Sequence, residues 1–168
     1  LLGVVVSNTL NWEAHVAATC AKASKRLHFL KLLKRSSMPP ADLLQYYKTV
    51  IRSVIEYACP VWQSSLTVDQ RNRLETVHRR ALRIISGSSD YELHCALYEI
   101  EPIAVRLDRL EQTTFSRLCS PNDCLHRLIP VRHPNGTTLR NASQLPRIFC
   151  LTTKFMNSFL PFALSNYQ

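Results

Sequence analysis

The stretch from Ile51 to Gly87, IRSVIEYACPVWQSSLTVDQRNRLETVHRRALRIISG, decides how this 168-residue chain folds. Thr67-Val68-Asp69-Gln70 is a capping box, with Thr67 and Gln70 placed to satisfy each other's orphan backbone donors. The helix it opens buries Leu74, Val77, Ala81, Ile84 and Ile85 at helical spacing. Gly87 suits its C-terminal cap, where a left-handed residue is needed. Glu75 and Arg79 stand in the favourable order for an exposed pair four residues apart. Upstream, Cys59 precedes Pro60, and proline pushes its predecessor out of helical geometry, so an earlier helix ends there with Trp62 as its lid.

That earlier helix starts near Pro40, a residue suited to the first helical position. Leu43, Leu44, Tyr47, Val50, Ile51, Val54, Ile55 and Ala58 form its apolar stripe, opposite Gln45, Lys48, Arg52 and Glu56. Ser36-Ser37-Met38-Pro39-Pro40 separates it from a first helix that Asn11 caps and that runs to about Arg35. Val16, Cys20, Ala23, Leu27 and Leu30 are the buried face of this first helix. Before it, Leu1-Leu2-Gly3-Val4-Val5-Val6 is a β-branched run that reads as a short strand. Downstream, Asp90 caps a short helix over Tyr91 to Tyr98. Pro102 opens another, with Ile103, Leu107, Leu110, Thr114 and Leu118 along one side. Beyond Pro121, prolines at 130, 134, 146 and 161 and the pair Asn135-Gly136 give a loop-rich tail, with short helical pieces over 124–128 and 161–166.

The expected fold is therefore mainly α, a multi-helix bundle with a short N-terminal strand and a loop-rich C-terminal tail. Residues 1–10 form the strand segment, 11–119 the helical domain and 120–168 the tail. Only three glycines are present, which disfavours tight hairpins, and a hydrophobic fraction of 46% supports a packed core. Lys and Arg outnumber Asp and Glu by 21 to 12, a formal charge of +9 that predicts attraction to polyanions, nucleic acid first. The six cysteines are scattered, no signal peptide precedes them, and no apolar run is long enough to cross a membrane. They read as reduced, mostly buried thiols of an intracellular, non-secreted protein. The sequons at Asn135 and Asn141 then read as chance. The chain begins at Leu1 rather than methionine, as a fragment would.

Several segments resemble the region after the polymerase domain of non-LTR (LINE/jockey-type) retrotransposon reverse transcriptases. Leu2-Gly3-Val4, then Leu10, Trp12 and His15, resembles that family's LGV…LxWxxH signature at the palm–thumb junction. Tyr47, Ile51-Arg52-Ser53, then Glu56-Tyr57-Ala58-Cys59-Pro60-Val61-Trp62, is similar to its Y…IRSxLEYACPVW segment. Leu74-Glu75, Val77 and Arg79-Arg80-Ala81-Leu82-Arg83-Ile84-Ile85 is similar to its LExVQRRALRII helix, with His78 where glutamine is usual. The likeness runs from Leu1 to about Leu118. It implies that residues 1–10 are the remnant of a palm-end strand. It further implies that residues 11–119 are a thumb-like domain gripping the template–primer duplex, next to a palm that this chain lacks.

Polymerase chemistry needs carboxylates clustered around two metal ions. The five aspartates (42, 69, 90, 108, 123) are never adjacent, and Asp42, Asp69 and Asp90 sit at helix starts, where they cap and match the helix dipole. Cys119, Cys124, His126 and His133 fit zinc-ligand spacing badly. There is no Gly-x-Ser-x-Gly elbow and no phosphate-cradling glycine loop. The sequence implies no catalytic residue, cofactor or metal. What remains is electrostatic. Lys22, Lys25, Arg26, Lys31, Lys34 and Arg35 on the first helix, with Arg73, Arg79, Arg80 and Arg83 on the third, are the candidate contacts to an RNA–DNA or DNA duplex backbone. Trp12, Glu56, Tyr57, Cys59, Pro60 and Trp62 are the structural motif. Two alternatives stand beside this reading: a co-opted helical protein-interaction module, and a transposon relic without function.

Overall fold

Helix α1 spans Glu13–Arg35 and α2 spans Pro40–Tyr46; α2 continues through a π-helical segment, Tyr47–Arg52, into α3, Ser53–Glu56. A short helix, α4 (Cys59–Trp62), and a 3₁₀ turn at Gln63–Ser65 lead to α5, Val68–Ser86. Then follow α6 (Tyr91–Leu97), α7 (Ile103–Leu118), a 3₁₀ turn at His126–Leu128, α8 (Thr153–Met156) and α9 (Phe159–Asn166). This computed structural model describes residues 2–88, 90–130 and 145–167. His133, Pro134, the Asn135-Gly136 turn and both sequons lie outside the described residues.

The chain divides into two compact units, Leu1–Cys59 with Leu66–Leu107, and Pro60–Ser65 with Asp108–Gln168. In the first, α1 packs along α5 and also meets α2, the π-helical segment and α3. Val16, Ala23, Leu27 and Leu30 of α1, Leu74, Ala81, Leu82 and Ile85 of α5, and Leu43, Tyr47, Ile51 and Ile55 are all buried. Each such aliphatic side chain contributes about 1.5–3 kcal/mol on leaving water. Glu56 ties the far end together: its Oε1 lies 3.0 Å from Arg52 Nε and 2.8 Å from Arg106 Nε. The hydrogen bond from Arg106 to this carboxylate holds the guanidinium charged more firmly than usual, against the opposing effect of its own burial.

The second unit is built around Phe115, Leu118, Ile129, Ala163 and Leu164, with Ile148, Phe159 and Tyr167 against them. Polar ties close it. The Ser65 hydroxyl donates to the Asn157 carbonyl at 2.7 Å, Gln63 Nε2 donates to Asp108, and the Tyr167 hydroxyl donates to Glu111 Oε2 at 3.3 Å. Trp62, the expected lid, is 1% exposed.

Several expectations are corrected. No strand occurs among the described residues. Leu2 and Gly3 have φ of 47° and 81°, which turns the chain, and Val4–Val6 find no neighbouring strand to share a ladder with. The segment is instead pinned to helices: the Tyr57 hydroxyl donates to the Leu2 carbonyl at 2.7 Å, and the Val5 N–H to His15 Nδ1 at 3.4 Å. Asn11 does not cap α1. That position falls to Trp12, and the Asn11 N–H donates to the Ser7 hydroxyl at 3.1 Å. The helix before Pro60 stops earlier than expected, after Glu56, where Ala58 turns the backbone at φ 52°. Cys59-Pro60-Val61-Trp62 is itself helical, since proline is tolerated in a helix's first turn. Of the thiols only Cys59 is buried; Cys124 is exposed and the other four are half-buried.

The capping box forms as read. The Gln70 N–H donates to the Thr67 hydroxyl at 3.3 Å, the Thr67 N–H donates to Gln70 Oε1 at 3.0 Å, and Gly87 closes α5 at φ 82°. Pro40 opens α2, and the Asp90 carboxylate caps α6 by accepting from the Leu93 N–H at 3.1 Å.

Candidate nucleic-acid interface

The ten candidate cations divide into those with structural duties and those without. Arg26 donates to the Val50 carbonyl, inside the π-helical segment. Lys34 Nζ donates to the Ile85 carbonyl at 2.8 Å, satisfying the end of α5. Arg73 pairs with Glu13 and, through that hydrogen bond, holds the Glu13 carboxyl below its usual range. Each of these three joins distant parts of the first unit.

Lys22, Lys25, Lys31, Arg35, Arg79, Arg80 and Arg83 are exposed. They do not share one face. At about 100° per residue, Lys22 and Lys31 stand about 180° apart around α1, with Lys25 on the side of Lys22 and Arg35 on the side of Lys31. On α5 the geometry is tighter. Arg79, Arg80 and Arg83, with Thr76, recur at i, i+3, i+4 and i+7, so they form one stripe on the face turned away from Leu74, Ala81 and Ile85.

The expected Glu75–Arg79 pair is replaced. Glu75 Oε1 accepts from the Tyr91 hydroxyl and its Oε2 from the Ile103 N–H at 3.0 Å, so both oxygens point into the fold. The Arg79 guanidinium lies over the Tyr91 ring at 4.6 Å from its centroid. Burial and the Glu75 hydrogen bond hold the Tyr91 phenol far above its ordinary range. Behind the stripe, His78 is wholly buried. Its Nδ1 meets the Tyr47 hydroxyl, and its ring stands edge-on to Tyr91 at 5.7 Å. Burial pushes His78 down to about 4, so the imidazole is neutral where it bonds to the Tyr47 hydroxyl.

The stripe borders an open recess of about 280 Å³ lined by Thr76, Arg79, Arg80, Arg83, Tyr91 and His94. No carboxylate is among these residues. His94 is 2% exposed; its Nδ1 lies 3.5 Å from the Ser86 hydroxyl, and its Nε2 has no hydrogen-bond partner. Sequence reasoning found the arginines and missed Tyr91 and His94, because α6 meets α5 only after the Gly87 turn. Thr76 was within reach, standing three residues before Arg79 on the same face.

The aspartates have other work. Asp42 and Asp69 lie in the first turns of α2 and α5, and Asp90 caps α6. Asp108 accepts from Gln63, and Asp123 accepts from the Leu125 N–H at 2.9 Å. Among the described residues, no three His, Cys, Asp or Glu side chains gather as metal ligands would. His126 Nδ1 faces the Leu118 carbonyl at 3.2 Å, and Cys124 is exposed. Of the structural-motif residues, Trp12, Cys59 and Trp62 are buried, Glu56 is the ion-pair hub, and Tyr57 holds the N-terminal segment. No helix among the described residues is long and apolar enough to cross a membrane.

Compared with curated proteins, the chain is similar to a probable RNA-directed DNA polymerase from the transposon X-element of Drosophila melanogaster, at 24% identity over 114 residues. That match takes in 66% of this chain and 12% of the length of the polymerase. No protein-family model matches the chain, and no solved structure does. The chain thus carries a region related to a transposon reverse transcriptase, and it corresponds to a small part of such a protein.

Proposed function

We propose that this chain is the helical thumb and post-palm connection of a non-LTR, LINE/jockey-type reverse transcriptase. In this reading it grips the template–primer duplex through the phosphate backbone, and the carboxylates that do the polymerase chemistry belong to a palm elsewhere in the parent protein. The observation that carries this is the α5 stripe, where Arg79, Arg80 and Arg83 stand exposed on a helix whose opposite face is core. Exposed guanidiniums in a row match phosphate oxygens and position a protein on a duplex without reading its sequence. The similarity to a transposon polymerase supports the same direction.

The test is binding of an RNA–DNA hybrid by fluorescence anisotropy across a salt series. Each neutralised phosphate contributes a slope of about −0.9 in log K against log salt on a B-form duplex. The three stripe arginines therefore predict a slope near −3, steeper where α1 lysines also engage. A flat salt dependence, or no hybrid binding at low salt, overturns the proposal.

A second reading has its own observation. Phe149 and Leu151 in the second unit are 84% and 86% exposed, with Phe155 and Met156 nearby in sequence and about half exposed. Exposed apolar side chains of this size suit a protein-interaction module. Light scattering decides its relevance: a monomer that binds hybrid with the predicted slope favours the duplex grip, and salt-insensitive self-association favours the module.

A further inference from the structure

The recess between α5 and α6 differs from the rest of the basic surface in three ways. It is concave, it is lined by Arg79, Arg80 and Arg83 with no carboxylate, and it includes a buried histidine. An exposed arginine usually finds a carboxylate or stands in open water. Here three guanidiniums converge within two turns of one helix, and the nearest acid on that helix, Glu75, is occupied by Tyr91 and the Ile103 N–H. Like charges held this closely repel one another, a cost that an anion in the recess would remove.

The geometry points to a site for one phosphate group of a nucleic acid, seated between Arg79, Arg80 and Arg83 with the Tyr91 and His94 rings beside it. This rests on the duplex-grip reading for its ligand but names a particular recess and a particular chemistry. Guanidinium forks donate pairs of hydrogen bonds that fit phosphate oxygens. Arg79 is already ordered by its stacking over Tyr91, so less freedom is lost when it binds. His94, which lines the recess, also has a buried Nε2 without a hydrogen-bond partner. At about 280 Å³ the recess falls just below the range of about 300–1,000 Å³ typical of small-molecule sites. It therefore suits a phosphate with its adjoining sugar better than a stacked run of nucleotides. Two sources present this chemistry: the terminal phosphate of a strand, and an internal phosphodiester of the duplex.

The first experiment titrates the full chain with inorganic phosphate at low ionic strength and follows the His94 ring by NMR. The expected result is a saturable shift of the His94 signals, weakened about fivefold or more in Arg83→Gln and in Arg80→Gln. Arg127→Gln, at an exposed residue that does not line the recess, should leave the titration unchanged. Arg80 and Arg83 are solvent-exposed, so the variants should fold, and an unchanged spectrum away from the recess checks that they do.

The second arm compares hybrid duplexes with and without a 5′-phosphate. If the recess takes a strand end, the phosphorylated duplex binds tighter and Arg83→Gln abolishes the preference. If it takes an internal phosphate, both duplexes bind alike and Arg83→Gln weakens both. Phosphate that moves no His94 signal, or that binds Arg83→Gln as well as the unaltered chain, overturns the inference, and salt-dependent hybrid binding would then still uphold the duplex grip. Conversely, a phosphate-responsive recess on a chain that binds no hybrid upholds the site and refutes the grip.

Discussion

His78 makes the stability of this protein depend on pH in a way that can be worked out from its surroundings. The ring is wholly buried, bonded through Nδ1 to the Tyr47 hydroxyl, and burial pushes its pKa down to about 4 from an ordinary 6.5. The groups facing it act in both directions, with Glu75 favouring the charged ring and Arg52 and Arg79 opposing it. Between pH 6.5 and pH 4 the unfolded chain binds a proton at this position and the folded chain does not. The stabilisation is therefore complete above pH 6.5 and is lost as pH falls toward 4. Moving from pH 7 to pH 5 should remove about 2 kcal/mol through this residue alone. With a urea m-value of about 2 kcal/mol/M, the unfolding midpoint drops by about 1 M. His15, whose pKa is also lowered by burial, adds a loss of the same sign. His78→Gln isolates the effect, because an amide can either donate to or accept from the Tyr47 hydroxyl and does not titrate in this range. Urea unfolding at pH 7 and pH 5 should show the variant losing about 1 M less than the unaltered chain. Equal losses in the two proteins would refute the assignment of a neutral, buried His78.

Other perturbations follow from the same packing. Glu56→Gln leaves Arg52 and Arg106, whose side chains are 19% and 26% exposed, without their shared carboxylate, and should cost about 2 kcal/mol by urea unfolding. Thr67→Ala removes one half of the capping box and should cost about 1 kcal/mol, with hydrogen exchange accelerating in the first turn of α5 before anywhere else in that helix.

The helical content and the third long helix were legible because their signals are local. Thr67, Gln70 and Gly87 act on backbone groups within three or four residues, so their meaning does not depend on the rest of the chain. The N-terminal segment misled for the opposite reason. Val4, Val5 and Val6 have the composition of a strand, but a ladder needs a second strand, and here Tyr57 and His15 supply the contacts instead. Pro60 misled because it forbids a helical interior yet fits a first turn. The cations show the same division. The sequence put Arg73, Arg79, Arg80 and Arg83 on the third helix as candidate contacts without any structure. That Arg73 belongs to Glu13, Lys34 to the Ile85 carbonyl and Arg26 to the Val50 carbonyl is a matter of tertiary contact across 60, 51 and 24 residues.

The π-helical segment has a further consequence, which concerns phase. Leu43, Tyr47, Ile51 and Ile55 follow one another at intervals of four, and each is wholly buried. In an ordinary α-helix four residues overshoot a full turn by about 40°, so a strict ladder of fours would wind out of the core and into water. In the wider π turn four residues fall short of a full turn, and the error runs the other way. Tyr47–Arg52 thus resets the rotation midway, and Ile55 arrives facing the same side as Leu43. The segment thus holds about one residue more than an α-helix needs over the same turns. Losing one residue there, such as exposed Thr49, lets it tighten to an ordinary α-helix with Ile55 still in phase with Leu43, whereas inserting one swings everything beyond it by about 100° and takes Glu56 away from Arg106.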